Sequence, residues 1–126
     1  MRKQESRIMI NDYYTVNSEE KNIPEAVFGI RLNPDCDVYR GHFPGNPISP
    51  GVCNIQMIKE CAERMLGRKL FFKALPVCRF KVLISPSTHP ELTVRLMLED
   101  EKKLSAKILD KDTVCLEMKT EFEYEG

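Results

Sequence analysis

Hydrophobic and polar residues alternate most regularly near the C-terminus. In TVCLEMKTEFEY (113–124), Val114, Leu116, Met118, Phe122 and Tyr124 fall on one face, and Cys115, Glu117, Lys119, Glu121 and Glu123 on the other. A period of two with a charged outer face predicts an antiparallel strand with one side in water. Working backwards, DKD and EKK punctuate two more strands, LSAKIL (104–109) and LTVRLMLED (92–100). PSTHPE (86–91) is a turn. KLFFKALPVCRFKVLI (69–84) predicts one long bent strand, or two short ones broken at Pro76. In the N-terminal part, RIMINDYYTV (7–16) and EAVFGIRLN (25–33) read as strands, with NSEEKNIP as a polar turn between them.

One segment departs from the period of two. After a loop from Pro34 to Ser49, the pattern turns helical from Pro50 to about Leu66. Ser49 is the expected N-cap, Pro50 the first helical position and Gly67 the C-cap. Val52, Ile55, Met57, Ile58, Ala62, Met65 and Leu66 cover more than one side, which predicts a helix buried in the middle of the fold. Asn54 and Gln56 within it then need a partner, water or a cleft, because an unpaired buried amide costs about 1–3 kcal/mol. With no repeat or linker, the reading is a single α+β domain over 1–126, an antiparallel sheet wrapped around one helix.

Composition narrows the function. The 126 residues carry 19 Lys plus Arg against 19 Asp plus Glu, so the formal net charge is zero and non-specific nucleic-acid binding is not expected. No apolar run approaches the roughly 20 residues that span a bilayer. MRKQESRIMINDYY holds no continuous apolar core, so it does not read as a secretory signal, and a cytoplasmic, non-membrane protein is expected. Cys36, Cys53, Cys61, Cys78 and Cys115 form no CxxC pair and, with two distant histidines, give no metal spacing; they read as reduced, small hydrophobes. Cys53 alone is near enough to a helix N-terminus for thiolate chemistry to be considered.

The densest Gly/Pro stretch, GHFPGNPISPG (41–51), carries His42 and feeds the helix. Such a loop builds a site, or simply a turn. GHFPGNPISPGVCNIQ resembles the active-site segment of the β-hydroxyacyl-acyl carrier protein dehydratases: His42, Phe43, Pro44, Gly45, Pro47, Pro50 and Gly51 fall in step with that family's pattern. The resemblance implies a hot dog fold, a curled antiparallel sheet around a long central helix, assembled as a homodimer or higher even-numbered oligomer. It implies an acyl thioester substrate, on acyl carrier protein or coenzyme A, dehydrated to a trans-2-enoyl thioester without a cofactor or metal. His42 would be the base, and the backbone N–H groups of Gly51 and Val52 the oxyanion donors. Phe43 and Pro50 would contact substrate.

One position breaks the pattern. The family's acid stands fourteen residues after the histidine, where this chain has Gln56, which cannot give up a proton. Glu60 follows one turn later, an exchange of the family's Glu-x-x-x-Gln order. It is either a displaced acid or a charge paired with Lys59, Arg64 or a partner chain. Three readings stay open: a dehydratase with Gln56 orienting the hydroxyl, a hot dog thioesterase or hydratase, and a non-catalytic acyl-binding homologue. His89 reads as a turn residue. Arg79 and Lys81 lie where the family carries basic residues facing the acidic carrier, or are ordinary solvated strand charges. Arg64, Arg68 and Lys69 complement the helix dipole.

Overall fold

The computed structural model describes residues 12–39 and 47–126. Six strands form one sheet: β1 (Tyr14–Asn22), β2 (Glu25–Leu32), β3 (Leu70–Phe80), β4 (Glu91–Asp100), β5 (Lys103–Asp110) and β6 (Thr113–Tyr124). Their spatial order is β1-β2-β4-β5-β6-β3, with every neighbouring pair antiparallel. The helix α1 (Gly51–Leu66) joins β2 to β3 through the preceding loop. It lies on the apolar face of the sheet, where Met57, Ile58, Cys61 and Ala62 meet Phe28, Val94, Leu96, Ile108, Leu116 and Phe122 in one buried cluster. Alternation along β2 and β4 supplies this face, every second residue being buried from Ala26 to Leu32 and from Leu92 to Leu96.

Four expectations are corrected. The segment NSEEKN is strand, not turn: β1 begins at Tyr14 and pairs with β2 through Asn22, and the turn is confined to Ile23 and Pro24. As an edge strand exposed from Asn17 onward, it needs no apolar face, so no periodicity marks it. Of the expected strand 7–16, residues 7–11 lie outside the described residues. The helix starts at Gly51 with Pro50 as an extended N-cap (φ −63°, ψ 142°), and no side chain caps it. Ser49 is therefore not the cap. Its side chain is engaged elsewhere, as described below. Cys115 is not on the water side of β6 but 1% exposed. Its carbonyl accepts the N–H groups of Lys81 (2.8 Å) and Val82 (3.1 Å), so the chain leaving β3 folds over it. The ladder also slips between Ile108 and Leu109 opposite this end of β6, which breaks strict alternation there.

Other expectations hold. β3 runs unbroken through Pro76, bent by register shifts between Phe72 and Ala74 and between Ala74 and Val77. Proline is tolerated because β3 is an edge strand, and one side of its backbone has no ladder to lose. Gly67 ends α1 at φ +71°, its N–H bonded to Glu63 O at 2.8 Å. Glu63, 9% exposed, takes the Leu70 N–H at 3.0 Å and ties the helix end to β3. No helix among the described residues is long and apolar enough to cross a membrane.

Candidate functional site at the helix N-terminus

Among the described residues, the opening turn of α1 leaves two donors unused. Pro50 has no N–H, and its extended backbone aims its carbonyl at the N–H groups of Cys53 (3.0 Å) and Asn54 (3.2 Å). Among the described residues, the N–H groups of Gly51 and Val52 meet no acceptor. The positive end of the helix dipole adds to them, which makes this turn a ready receptor for a developing negative charge. The Val52 side chain is 72% exposed. Gly51 has a packing reason: a Cβ there would stand 3.0 Å from Cε1 and Cζ of Phe80. Phe80 and Leu83, exposed with Val52, give this end of the molecule an apolar rim.

Beneath the turn lies a buried layer of hydroxyls. Tyr39 and Ser49 share a 2.8 Å hydrogen bond, and the Ser49 N–H donates to Ile84 O at 2.8 Å. The Tyr13 hydroxyl donates to Asn54 Oδ1, which answers the expectation that this buried amide needs a partner. The Tyr13 and Tyr39 rings stand 6.2 Å apart. Burial pushes both phenols above their ordinary pKa, so they stay protonated. Tyr39 and Ser49 flank residues 40–48, so their bond closes the base of the segment carrying His42. His42 and Phe43 themselves lie outside the described residues. Ser49→Ala removes one hydrogen-bond partner of the buried Tyr39 hydroxyl and leaves it Tyr13, so a loss of about 0.5–1.5 kcal/mol is expected. Denaturant unfolding measures this, and an unchanged midpoint would refute it.

One turn further along, Gln56 and Glu60 are brought together. Gln56 Nε2 donates to Glu60 Oε2 at 3.2 Å, and the Tyr14 hydroxyl donates to Glu60 Oε1 at 2.5 Å. The cations expected for Glu60 go elsewhere: Lys59 Nζ reaches Glu63 Oε2 at 3.2 Å, and Arg64 Nη2 reaches Glu19 Oε1 at 2.8 Å. Sequence reasoning missed all three tyrosines. Only the demand for partners at Asn54 and Gln56 hinted at them.

The remaining candidates fall outside this cluster. His89 Nδ1 accepts the Ser85 N–H at 3.2 Å and the His89 backbone N–H donates to Ser85 O at 2.7 Å, which is a turn role. Arg79 and Lys81 both pair with Glu117, at 3.4 and 3.1 Å. Arg68 stacks 3.8 Å over the Tyr124 ring, and Lys69 stands 3.9 Å from Glu63 Oε1. All five cysteines are free thiols, and only Cys78 is not buried. Burial raises the thiol pKa of Cys53 and takes that of Cys61 up to about 12, which favours packing over thiolate chemistry. No metal-ligating cluster occurs among the described residues.

A family model described as ApeI-like, the ApeI dehydratase, matches residues 16–119. Among curated proteins, the chain is similar to the 3-hydroxyacyl-[acyl-carrier-protein] dehydratase FabZ of Zymomonas mobilis, 30% identical with 67% of this chain and 59% of that protein covered. It is also similar to the FabZ of Lactobacillus helveticus, 27% identical with 65% and 63% covered. It thus spans less than two thirds of the length of these relatives. Among solved structures, a chain of the dehydratase heterocomplex ApeI:P from Xenorhabdus doucetiae superposes with a TM-score of 0.73 at 22% identity, covering 86% of this chain and 96% of that one. A protein from Pyrococcus horikoshii superposes at 0.63 and 14% identity, covering 96% and 87%. Six antiparallel strands laid against one long helix, with these neighbours, make the architecture a hot dog fold.

Proposed function

The chain belongs to the ApeI-like dehydratase family, and on that footing we propose that it removes water from a 3-hydroxyacyl thioester to give a trans-2-enoyl thioester. The substrate class is the one in the name of the FabZ relatives, an acyl group on acyl carrier protein; coenzyme A is the alternative carrier. The observation that carries the reading is the helix start: seven residues after His42-Phe43-Pro44 in sequence, the N–H of Gly51, and next to it that of Val52, are unused among the described residues. They would hold the thioester oxygen as it takes up negative charge. His42 would remove the C2 proton, and the imidazolium so formed would return that proton to the departing C3 hydroxyl. The C3–O bond then breaks and the C2–H electron pair becomes the new double bond. Gln56 would orient the hydroxyl during this transfer. Phe43 and Pro50 would line the acyl path.

A second subunit would complete the site. The outer edge of β3 has no strand beside it among the described residues, and Val52, Phe80 and Leu83 expose apolar surface at the helix start; both support a two-chain seam there. Gln56 also favours a variant in which the second chain differs in sequence. A hot dog partner with a carboxyl group at the matching helix position would supply the acid that Gln56 lacks.

The test is turnover of a 3-hydroxyacyl thioester by the chain alone, followed by the absorbance of the conjugated enoyl product. Enoyl formation is the expected result. Release of free thiol instead would make the protein a thioesterase, and binding without turnover would make it an acyl-binding homologue or one half of a mixed enzyme.

A further inference from the structure

The exchange of Glu and Gln along α1 sets an amide against a carboxylate, and a residue from outside the helix bonds that carboxylate. A carboxylate accepts hydrogen bonds and donates none. The Gln56 amide therefore meets Glu60 through Nε2, at 3.2 Å, with its carbonyl oxygen turned away. The reversed amide would set two acceptors against each other. This orientation lasts only while Glu60 stays against Gln56, and Glu60 has a competing partner. Arg64 stands four residues on, in the order that favours a helical ion pair. Both Arg64 and Glu60 line an open recess of about 380 Å³. Yet Arg64 pairs with Glu19, and Glu60 instead accepts the Tyr14 hydroxyl on its other oxygen at 2.5 Å. Tyr14 comes from the first residue of β1 and is half-buried. Burial, then the Glu60 hydrogen bond, raises its pKa, so it remains a donor over the working pH range.

We propose that Tyr14 is a positioning residue: by holding Glu60 against Gln56, it fixes the Gln56 amide so that Oε1 accepts the hydrogen of the substrate's 3-hydroxyl. That leaves a lone pair of the hydroxyl oxygen free to receive the proton from His42. The inference rests on the dehydratase reading above and names the device that makes glutamine serviceable in it.

Tyr14→Phe is expected to lower kcat/KM for the 3-hydroxyacyl thioester about 3- to 10-fold, the range of one hydrogen bond. In a Gln56→Ala background the same change is expected to cost less than about 2-fold, because a residue that acts through Gln56 has nothing left to act on. Affinity for the enoyl thioester, which has no hydroxyl, should not move. Equal losses in both backgrounds, or equal losses for both ligands, would overturn the proposal in favour of a structural role. Glu60→Gln, which can no longer dictate the amide orientation, should reproduce the Tyr14→Phe pattern. An independent readout keeps this decision apart from the fate of the dehydratase reading. The Gln56 side-chain amide ¹⁵N–¹H resonances should move toward free-amide positions in Tyr14→Phe. Should wild-type protein alone turn nothing over while these resonances move, the reading of a dehydratase active by itself falls and the clamp stands. Resonances unmoved by Tyr14→Phe sink the clamp itself.

Discussion

Alanine at position 42 is expected to slow dehydration of a 3-hydroxyacyl thioester by about 10²–10⁴-fold, the usual worth of a positioned general base. The unfolding midpoint should stay close to that of the wild type. The bonds that anchor the flanks of the His42 segment, Tyr39 to Ser49 and the Ser49 N–H to Ile84 O, do not involve the imidazole. The pH profile gives a second check with a definite sign. A base must be unprotonated to accept the C2 proton, so wild-type kcat/KM should fall once the solution is acidic enough to protonate the imidazole. The residual rate of His42→Ala should lose that acidic limb. Wild-type turnover in the alanine variant would remove His42 from the chemistry altogether.

What the sequence exposes and what it conceals follows from the range of the forces involved. β6 was legible from Leu116 onward because burial on one face and water on the other impose a period of two on adjacent residues. β1 was misread because its outer stretch is exposed on both faces, so Ser18, Glu19, Glu20 and Lys21 carry no apolar alternation. Cys115 failed for a tertiary reason: the segment after β3 bonds to its carbonyl and shields a position that alternation assigns to solvent. The helix C-terminus was readable from Gly67 alone, but the N-terminus was not. Ser49 fits the cap preference, and only the buried hydroxyl of Tyr39, ten residues away, explains why it is used differently. At the candidate site, the His42 motif and the Gln56 anomaly are local and were visible. The partners of the helix amides are not, since Tyr13 meets Asn54 across 41 residues and Tyr14 meets Glu60 across 46. Sequence can state that a buried amide requires a partner. It takes the register of β1 against α1 to name it.

The Gln56→Glu variant tests the central anomaly from the opposite direction. It places a carboxyl at the position where the family pattern has its acid, and a gain in dehydration of about 10²-fold or more is expected, within the range of a restored general acid. The neighbour favours this outcome. Glu60 stands one turn away with its Oε1 already accepting from Tyr14, so the two carboxyl groups would face each other on the edge where Gln56 now donates. Two carboxylates at that spacing resist joint ionisation, and the pair holds one proton to a pH above the ordinary carboxyl range. A proton retained there is the one the leaving hydroxyl needs. The sign of the pH effect follows. The gain over wild type should be largest on the acidic side and shrink as pH rises through the raised value, where the shared proton is lost. Stability should move in the same sense. In the folded variant the pair binds a proton that the unfolded chain has already released above about pH 4.3, so the variant loses stability relative to wild type as pH rises through that window. Turnover against pH, with denaturant midpoints at acidic and neutral pH, reads both effects. A variant no faster than wild type at any pH would mean that the missing proton donor is not what limits this protein, and that its chemistry was never waiting for an acid at position 56.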